Sequence, residues 1–378
     1  MAETYQKVIR GRGSLGKILQ MTEKIGISHP LIVGSEQLTG KMMKKAPALL
    51  TAPVFDAYHP NPDLHDAMAG VQMYREHGCD GIISIGGGSA MDTAKAVKAL
   101  LYAKNAEEAI EGQYTEQMHT PHLAIPGTAG TGAEATQNAV VYLDNRKVSL
   151  SHPALRPDGV ILDAELLESL PMYHKKAAAL DALCQGIESY WCTNATDDSR
   201  VHAFLAVLGV LDNLKAYLEG DPHAAEEMLD ASFQSGKAIQ LTRTTAAHAM
   251  SYQLTKTMGY AHGHACMLTL PVLWEMAAEH EEMKEVLEDL SSKMRLSDPL
   301  MVPRLLRGIL YDLKMEIPAV PSENFLNDLS TSVNPERLAN HPIRMTTKDV
   351  KEAYRKAFTP LCAAEMQACL DIWNYYGV

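Results

Sequence analysis

Two glycine-rich runs and a scatter of carboxylate, amide and imidazole side chains hold the chemistry of this sequence. In IISIGGGSAMDTAKAV a short apolar run ends at Gly86, Gly87 and Gly88, and Ser89 and Asp92 open an amphipathic helical stretch. A strand, a glycine turn and a helix start together make an anion site. Missing β-carbons let the backbone approach a pyrophosphate, and free N–H groups of the first helical turn point toward it. The plainer alternative is a tight turn capped by Ser89. Neither a GxGxxG pattern nor a Walker lysine follows, so the standard nucleotide fingerprints do not apply. A second run, AIPGTAGTGAEAT at 124–136, sets Thr128, Thr131, Gly127, Gly130 and Gly132 after another apolar stretch. Two such loops, each after a buried strand, point to a dinucleotide crevice at the carboxyl ends of the strands.

The second half offers metal-binding side chains. DALCQGIE puts Asp181 and Gln185 four residues apart, on one face of a helix. TTAAHAMSYQLTKTMGYAHGHACMLTLP supplies His248, His262 and His264, with Gly259 placed to end a helix between the first two. A carboxylate and two imidazoles are reasonable ligands for Fe²⁺ or Zn²⁺. Each histidine taken alone reads more readily as a hydrogen-bonded core or surface residue than as a ligand, and spacing by itself does not name a metal site.

The elements that must position these groups differ between the halves. Apolar runs at 29–35, 52–58, 80–88, 122–128 and 159–166 alternate with helical patterns, which predicts βαβ units on a parallel sheet. After Pro171 the pattern becomes helical with few β-branched runs. We therefore expect an α/β domain over 1–168 and an all-helical domain over 169–378. The 378 residues suffice for two domains. A net charge of −12 and 6 % aromatic residues argue against nucleic acid and anionic membranes as partners. No run approaches the ~20 apolar residues of a bilayer span. The six cysteines show no CxxC spacing, and the amino terminus lacks a signal-peptide core, so a cytoplasmic protein is expected.

In order, GGGSAMDTAK, PGTAGTGAEAT, LDALCQGIES, AAHAMSY and HGHACMLTLP resemble the iron-containing (group III) alcohol dehydrogenase family over nearly the whole chain. The resemblance implies a Rossmann-like NAD(P)-binding domain, a helical domain holding a divalent metal, and an active site in the cleft between them. It assigns Asp181, His248 and His262 to the metal, with Gln185 as a fourth ligand or a holder of water. Gly86, Gly87, Gly88, Ser89, Thr128 and Thr131 would hold NADH or NADPH, with Asp92 ordering the loop and Lys147 approaching the nicotinamide ribose. Fe²⁺ is the expected metal and Zn²⁺ the alternative. A homodimer is expected from the family and from an apolar strand near the amino terminus.

Three positions depart from the family pattern. Gln185 stands where most members have histidine, and an amide oxygen is a weaker ligand than imidazole. Tyr252 replaces a second histidine, leaving Tyr252, His264 or water to deliver the proton. Gly34 and Ser35 follow the strand where NAD-using relatives have an acid, so NADPH should be accepted at least as well as NADH.

Arg243, five residues before His248, and Arg156 at the domain junction are cations that a generic alcohol pocket does not need. They read either as partners of structural carboxylates such as Asp158 or Asp197, or as bidentate binders of an anionic head group. LDALCQGIESYW, LTRTTAAHAMSY and HGHA are similar to the phosphonoacetaldehyde reductase (hydroxyethylphosphonate dehydrogenase) branch, which implies reduction of phosphonoacetaldehyde to 2-hydroxyethylphosphonate. Sulfoacetaldehyde and simple alcohols are the competing substrates. A dehydroquinate-synthase-like lyase or a nucleotide-binding scaffold without catalysis fits the residues less well.

Overall fold

The computed structural model describes residues 6–59, 62–144, 146–315 and 322–376. The chain divides into two compact units, Met1–Leu170 and Pro171–Val378.

In the first unit, β1 (Lys7–Arg10), α1 (Ile18–Ile25), β2 (Pro30–Gly34), α2 (Glu36–Lys45), β3 (Val54–Phe55), α3 (Leu64–Glu76), β4 (Gly81–Gly86), α4 (Gly88–Tyr102), α5 (Ala106–Ile110) and β5 (His122–Pro126) follow one another. A hairpin, β6 (Asn138–Leu143) and β7 (Arg146–Ser151), then leads to β8 (Gly159–Leu162). Six strands form a parallel sheet in the order β1-β8-β5-β4-β2-β3. Every residue of β2, β4, β5 and β8 is buried. Their unbroken apolar runs are what a strand covered on both faces requires.

The β6–β7 hairpin is the element the sequence reading did not anticipate. Its first strand alternates buried and half-buried residues, so a single face packs inward. That alternation in NAVVYL is the signal that could have marked it.

The second unit is a helical bundle. It runs through α6 (Met172–Trp191), α7 (Asp197–Glu219), α8 (Pro222–Thr242), α9 (Ala246–Met258) and α10 (His262–Ala278). Continuing the bundle are α11 (Lys284–Lys293), α12 (Met301–Asp312), α13 (Glu323–Thr331), α14 (Pro335–Leu338), α15 (Thr347–Ala357) and α16 (Ala363–Tyr375). From Ala177 onward α6 is nearly all buried, which makes it the axis of the bundle. Helix α9 ends at Gly259, whose φ of 73° is readily tolerated only without a side chain. His262 then opens α10.

Among the described residues, α7 alone has the length and apolarity to cross a membrane, with a mean hydropathy of 1.3 over its most apolar window. Its Ala203, Ala206, Val207, Val210 and Leu214 are buried, and its Asp212 pairs with Arg295. Those features belong to a core helix with one wet face.

Candidate active site

In the first unit, the two glycine loops lie at the carboxyl ends of the neighbouring strands β4 and β5. The Gly127 N–H donates to the Gly86 carbonyl at 2.8 Å. Gly86 has a φ of 155°, and a β-carbon there would stand 2.9 Å from that of Ala90. A β-carbon on Gly87 would meet the Thr128 methyl at 3.2 Å, and one on Gly88 the Thr131 methyl at 3.1 Å. The threonines of the second loop thus rest against the glycines of the first.

Gly87, not Ser89, is the N-cap of α4, and it supplies no side-chain cap. The start of this 15-residue helix therefore receives no side-chain cap from its N-cap residue, which suits an anion site.

Asp92 does something other than order the glycine loop. Its Oδ2 accepts from the Val140 N–H at 3.1 Å, which ties the β6–β7 hairpin to α4. Burial pushes this carboxyl up to about 6, opposed by Lys95, by the Val140 N–H and by Lys147. Lys147 sits opposite Tyr142 in the hairpin, so Asp92 positions the strand pair that carries it.

Ser35 is the exposed N-cap of α2, directly after β2. A β-carbon at Gly34 would come 2.6 Å from the Ile85 carbonyl oxygen, so no acid fits there. Glu36, the first residue of α2, places a carboxylate beside Ser35 that the reading of Gly34 and Ser35 left out.

Arg156 is a correction. It precedes β8, so it lies at the amino-terminal edge of the sheet, opposite the edge where the glycine loops sit. A residue there cannot serve chemistry at the carboxyl ends of the strands. Asp158 beside it is engaged by Lys98 and by the His122 N–H.

In the second unit, Asp181, His248, His262 and Cys266 bring one ligand atom each within 4.8 Å of one another. Bonds of ~2.0–2.3 Å to a single ion are compatible with that spacing. Three helices build the cluster: α6 gives Asp181, α9 gives His248, and the first turns of α10 give His262 and Cys266. Gly263 makes the convergence possible. A β-carbon there would lie 2.1 Å from the Ala177 carbonyl oxygen and 2.5 Å from the Asp181 nitrogen, so α10 starts hard against the backbone of α6.

Each imidazole is oriented by its far nitrogen. His248 Nδ1 is bonded to Glu188 Oε2, while its Nε2 lies 3.2 Å from Asp181 Oδ1. Glu188 Oε1 also accepts from Thr245 Oγ1 at 2.7 Å and from the Ala247 N–H at 2.8 Å. It thereby satisfies the amino terminus of α9 while fixing the tautomer of His248. His262 Nδ1 is 3.1 Å from Ser251 Oγ, and its Nε2 faces Cys266 Sγ at 4.0 Å.

The charges couple tightly. Burial disfavours the imidazolium of His248, but Cys266, Glu188 and Asp181 outweigh it and hold the group well above the usual histidine range. Burial also pushes the Cys266 thiol up, and His248 and His262 bring it down to about 7. Glu188 was missed in the sequence, yet it sits seven residues after Asp181 on the same helical face. Cys266, four residues after His262, carried the same spacing signal.

Gln185, read as a fourth ligand or a holder of water, is already engaged by its neighbours. Its oxygen, the atom that could bind a metal, accepts from Ser235 Oγ at 2.8 Å. Its amide nitrogen faces Asp181 Oδ2 at 3.5 Å, so in this structure Gln185 contacts the aspartate and Ser235.

His264 is a second correction. Two residues after His262 on a helix, it points roughly 200° away. It lies 3.1 Å from Tyr173 Oη and packs its ring on Tyr260. Tyr252 does reach the cluster. Its ring stacks on His262 at 5.6 Å, nearly parallel, and its hydroxyl accepts from Arg337 Nη1 at 2.6 Å.

Arg337, on α14, lies with its guanidinium 4.8 Å over the Tyr252 ring, a cation the sequence reading did not single out. Arg243 is exposed at the C-cap of α8 and has no ion pair among the described residues. Its backbone adopts φ 76° and ψ 174°, a region that glycine alone enters cheaply.

Family models match both units. "Iron-containing alcohol dehydrogenase" covers residues 6–164, and "Fe-containing alcohol dehydrogenase family, C-terminal" covers 176–358. The "Probable alcohol dehydrogenase EutG" of Escherichia coli (strain K12) is 34% identical over 282 residues, 70% of either chain. This chain belongs to the iron-containing alcohol dehydrogenase family. Another member, the "Phosphonoacetaldehyde reductase" of Streptomyces viridochromogenes, is 37% identical over 225 residues, 56% of this chain and 57% of that one. The crystal structure of sulfoacetaldehyde reductase from Bifidobacterium kashiwanohense in complex with NAD+ shares the family fold. It superposes with a TM-score of 0.87 at 25% identity, covering 94% of this chain and 97% of that one.

Proposed function

We propose that the protein is a divalent-metal-dependent NAD(P)H oxidoreductase that reduces a small anionic aldehyde to its alcohol. Phosphonoacetaldehyde, giving 2-hydroxyethylphosphonate, is the leading substrate. The observation that carries the anionic substrate is Arg337, whose guanidinium stands one tyrosine ring away from the imidazole of His262. A planar fork of N–H donors suits a phosphonate or sulfonate head group better than an alkyl chain. Two of the similar proteins, a phosphonoacetaldehyde reductase and a sulfoacetaldehyde reductase, act on aldehydes of that kind by their names.

The donor set fits the metal that the family name implies: one carboxylate and two oriented imidazoles suit Fe²⁺ or Zn²⁺. Bound at Asp181, His248 and His262, the ion would supply Lewis acidity, and the dihydronicotinamide would supply the hydride. The remaining work falls to this chain's own side chains. Glu188 and Ser251 hold the two imidazoles in register. Gly87, Gly88, Thr128 and Thr131, with the start of α4, bind the pyrophosphate. Tyr252 keeps its proton, since burial raises its pKa against the opposing charge of Arg337. Its hydroxyl is the group we assign to protonate the product oxygen. Glu36 beside Ser35 favours use of both NADH and NADPH rather than NADPH alone.

A cytoplasmic homodimer completes the proposal. The six cysteines are free thiols, as suits a reducing compartment, and β1 stands at the edge of the sheet. Light scattering reads the oligomeric state.

The test is oxidation of NADH and NADPH with phosphonoacetaldehyde, sulfoacetaldehyde and butanal, with and without added Fe²⁺ or Zn²⁺. We expect the anionic aldehydes to be preferred and the ion to be required. Arg337→Ala should raise KM for the anionic aldehydes far more than for butanal. Equal losses on both would remove the anion site from the account.

A further inference from the structure

Gln185 engages Ser235 through its only ligating atom, while Asp181, His248 and His262 stand together on helices α6, α9 and α10. A fourth donor is already in place. Cys266 is completely buried and lies one helical turn after His262. Its sulfur is 4.0 Å from His262 Nε2, the ring nitrogen left over once Nδ1 has met Ser251 Oγ. It belongs to the same group of atoms, all within 4.8 Å, as Asp181 and His248. His248 likewise turns its Nε2 inward, because Glu188 occupies Nδ1. Two imidazole Nε2 atoms, a carboxylate oxygen and a thiol sulfur therefore converge from three helices, of which α6 and α10 meet backbone to backbone at Gly263. Cys184, the other buried thiol nearby, packs its sulfur on Met267 Sδ at 3.8 Å instead.

We infer that Cys266 is a metal ligand, so that the ion is held by Asp181, His248, His262 and Cys266, with Gln185 outside the coordination sphere. The inference rests on the metal-dependent reading above and sharpens it. A carboxylate, two imidazoles and one thiolate form a mixed N/S/O set. Thiolate shifts preference away from hard ions such as Mg²⁺ and Mn²⁺ toward Zn²⁺, Co²⁺ and soft-tolerant Fe²⁺. The metal bond takes the place of the S–H bond, the proton leaving to solvent, and no oxidant or reductant is involved.

Cobalt substitution of the intact chain tests this without relying on turnover. Metal is removed by chelation, Co²⁺ is added, and bound cobalt is counted alongside the absorption spectrum. The wild type should bind one Co²⁺ and show a near-ultraviolet thiolate-to-cobalt charge-transfer band. Cys184→Ser should keep the band, and Cys266→Ser should lose it while still binding cobalt at least ~10-fold more weakly, a step of about 1.4 kcal/mol.

X-ray absorption of the zinc-loaded wild type guards against a serine variant that fails to fold. It should show one sulfur neighbour at ~2.3 Å. Stoichiometric cobalt without the band, or zinc with only N and O neighbours, overturns the cysteine ligand while leaving the metal site standing. A band that survives Cys266→Ser also overturns it. Failure of the wild type to take up cobalt at all overturns both the ligand and the metal-dependent reading.

Discussion

The glycine-loop face of the first unit and the ligand cluster of the second are built from opposite materials. The first uses backbone: glycines too crowded for a β-carbon, threonine methyls resting on them, and the uncapped start of α4. The second uses side chains from three helices, each imidazole held at its far nitrogen by a buried partner. A backbone site is contiguous in sequence and tolerates some change in side chains. A side-chain cluster is scattered in sequence, and it depends on the packing that brings its helices together.

That contrast predicts unequal responses to small substitutions. Gly263→Ala should be the most damaging. The added methyl would sit 2.1 Å from a backbone oxygen of α6, which no rotamer change relieves. We expect loss of at least ~3 kcal/mol, read as a large fall in thermal midpoint together with loss of bound metal. A variant that kept both would show that the α6–α10 contact does not position the cluster.

The same contrast separates what was legible in the sequence. IISIGGGSAMD and AIPGTAGTG announced strand, loop and helix start because each is one continuous stretch, and five apolar runs located five of the six strands of the sheet. The hairpin was hidden by its half-exposed alternation. In the second unit Asp181, His248 and His262 were recognisable, but the partners were not. On the coordination inferred above, Cys266 takes the place that the sequence reading offered to Gln185, because only packing decides which of two side chains one helical turn from a ligand joins the cluster. Arg337, far along the chain from the histidines it approaches, left no local signal. Arg156 looked close to the junction in sequence, yet a parallel sheet puts the start of a strand and its end on opposite edges.

Glu188→Gln should come next in size. It keeps the shape but removes the charge that holds Nδ1 of His248, and a loss of ~10–100-fold in metal affinity is expected. Titration with Zn²⁺ against a chelating indicator measures it, and unchanged affinity would mean that Glu188 merely caps α9.

Gly87→Ala meets only a threonine methyl at 3.2 Å. It should weaken dinucleotide binding by about 1 kcal/mol, roughly fivefold, and leave metal content untouched. A variant that lost metal as well would erase the distinction between the two regions.

The remaining effect concerns pH. Burial pushes Glu134, next to the second glycine loop, up to about 7 against the pull of Lys95, and its Oε1 has no hydrogen-bond partner among the described residues. A carboxyl raised above its usual 4.5 contributes stability that is full below about pH 4.5 and is lost as pH climbs through about 7. The thermal midpoint of the wild type should therefore fall between about pH 5 and pH 8 more steeply than that of Glu134→Gln. The difference should be about 1–3 kcal/mol. Parallel curves would assign the pH dependence elsewhere.

The central claim is that one region binds the dinucleotide and the other supplies a metal without which no aldehyde is reduced. Metal removal and return, with two readouts on the same sample, tests it most directly. After chelation the chain should still enhance and blue-shift the fluorescence of bound NADH or NADPH, yet reduce no phosphonoacetaldehyde until Fe²⁺ or Zn²⁺ is restored. Full aldehyde reduction by protein shown to contain no divalent ion would contradict the account.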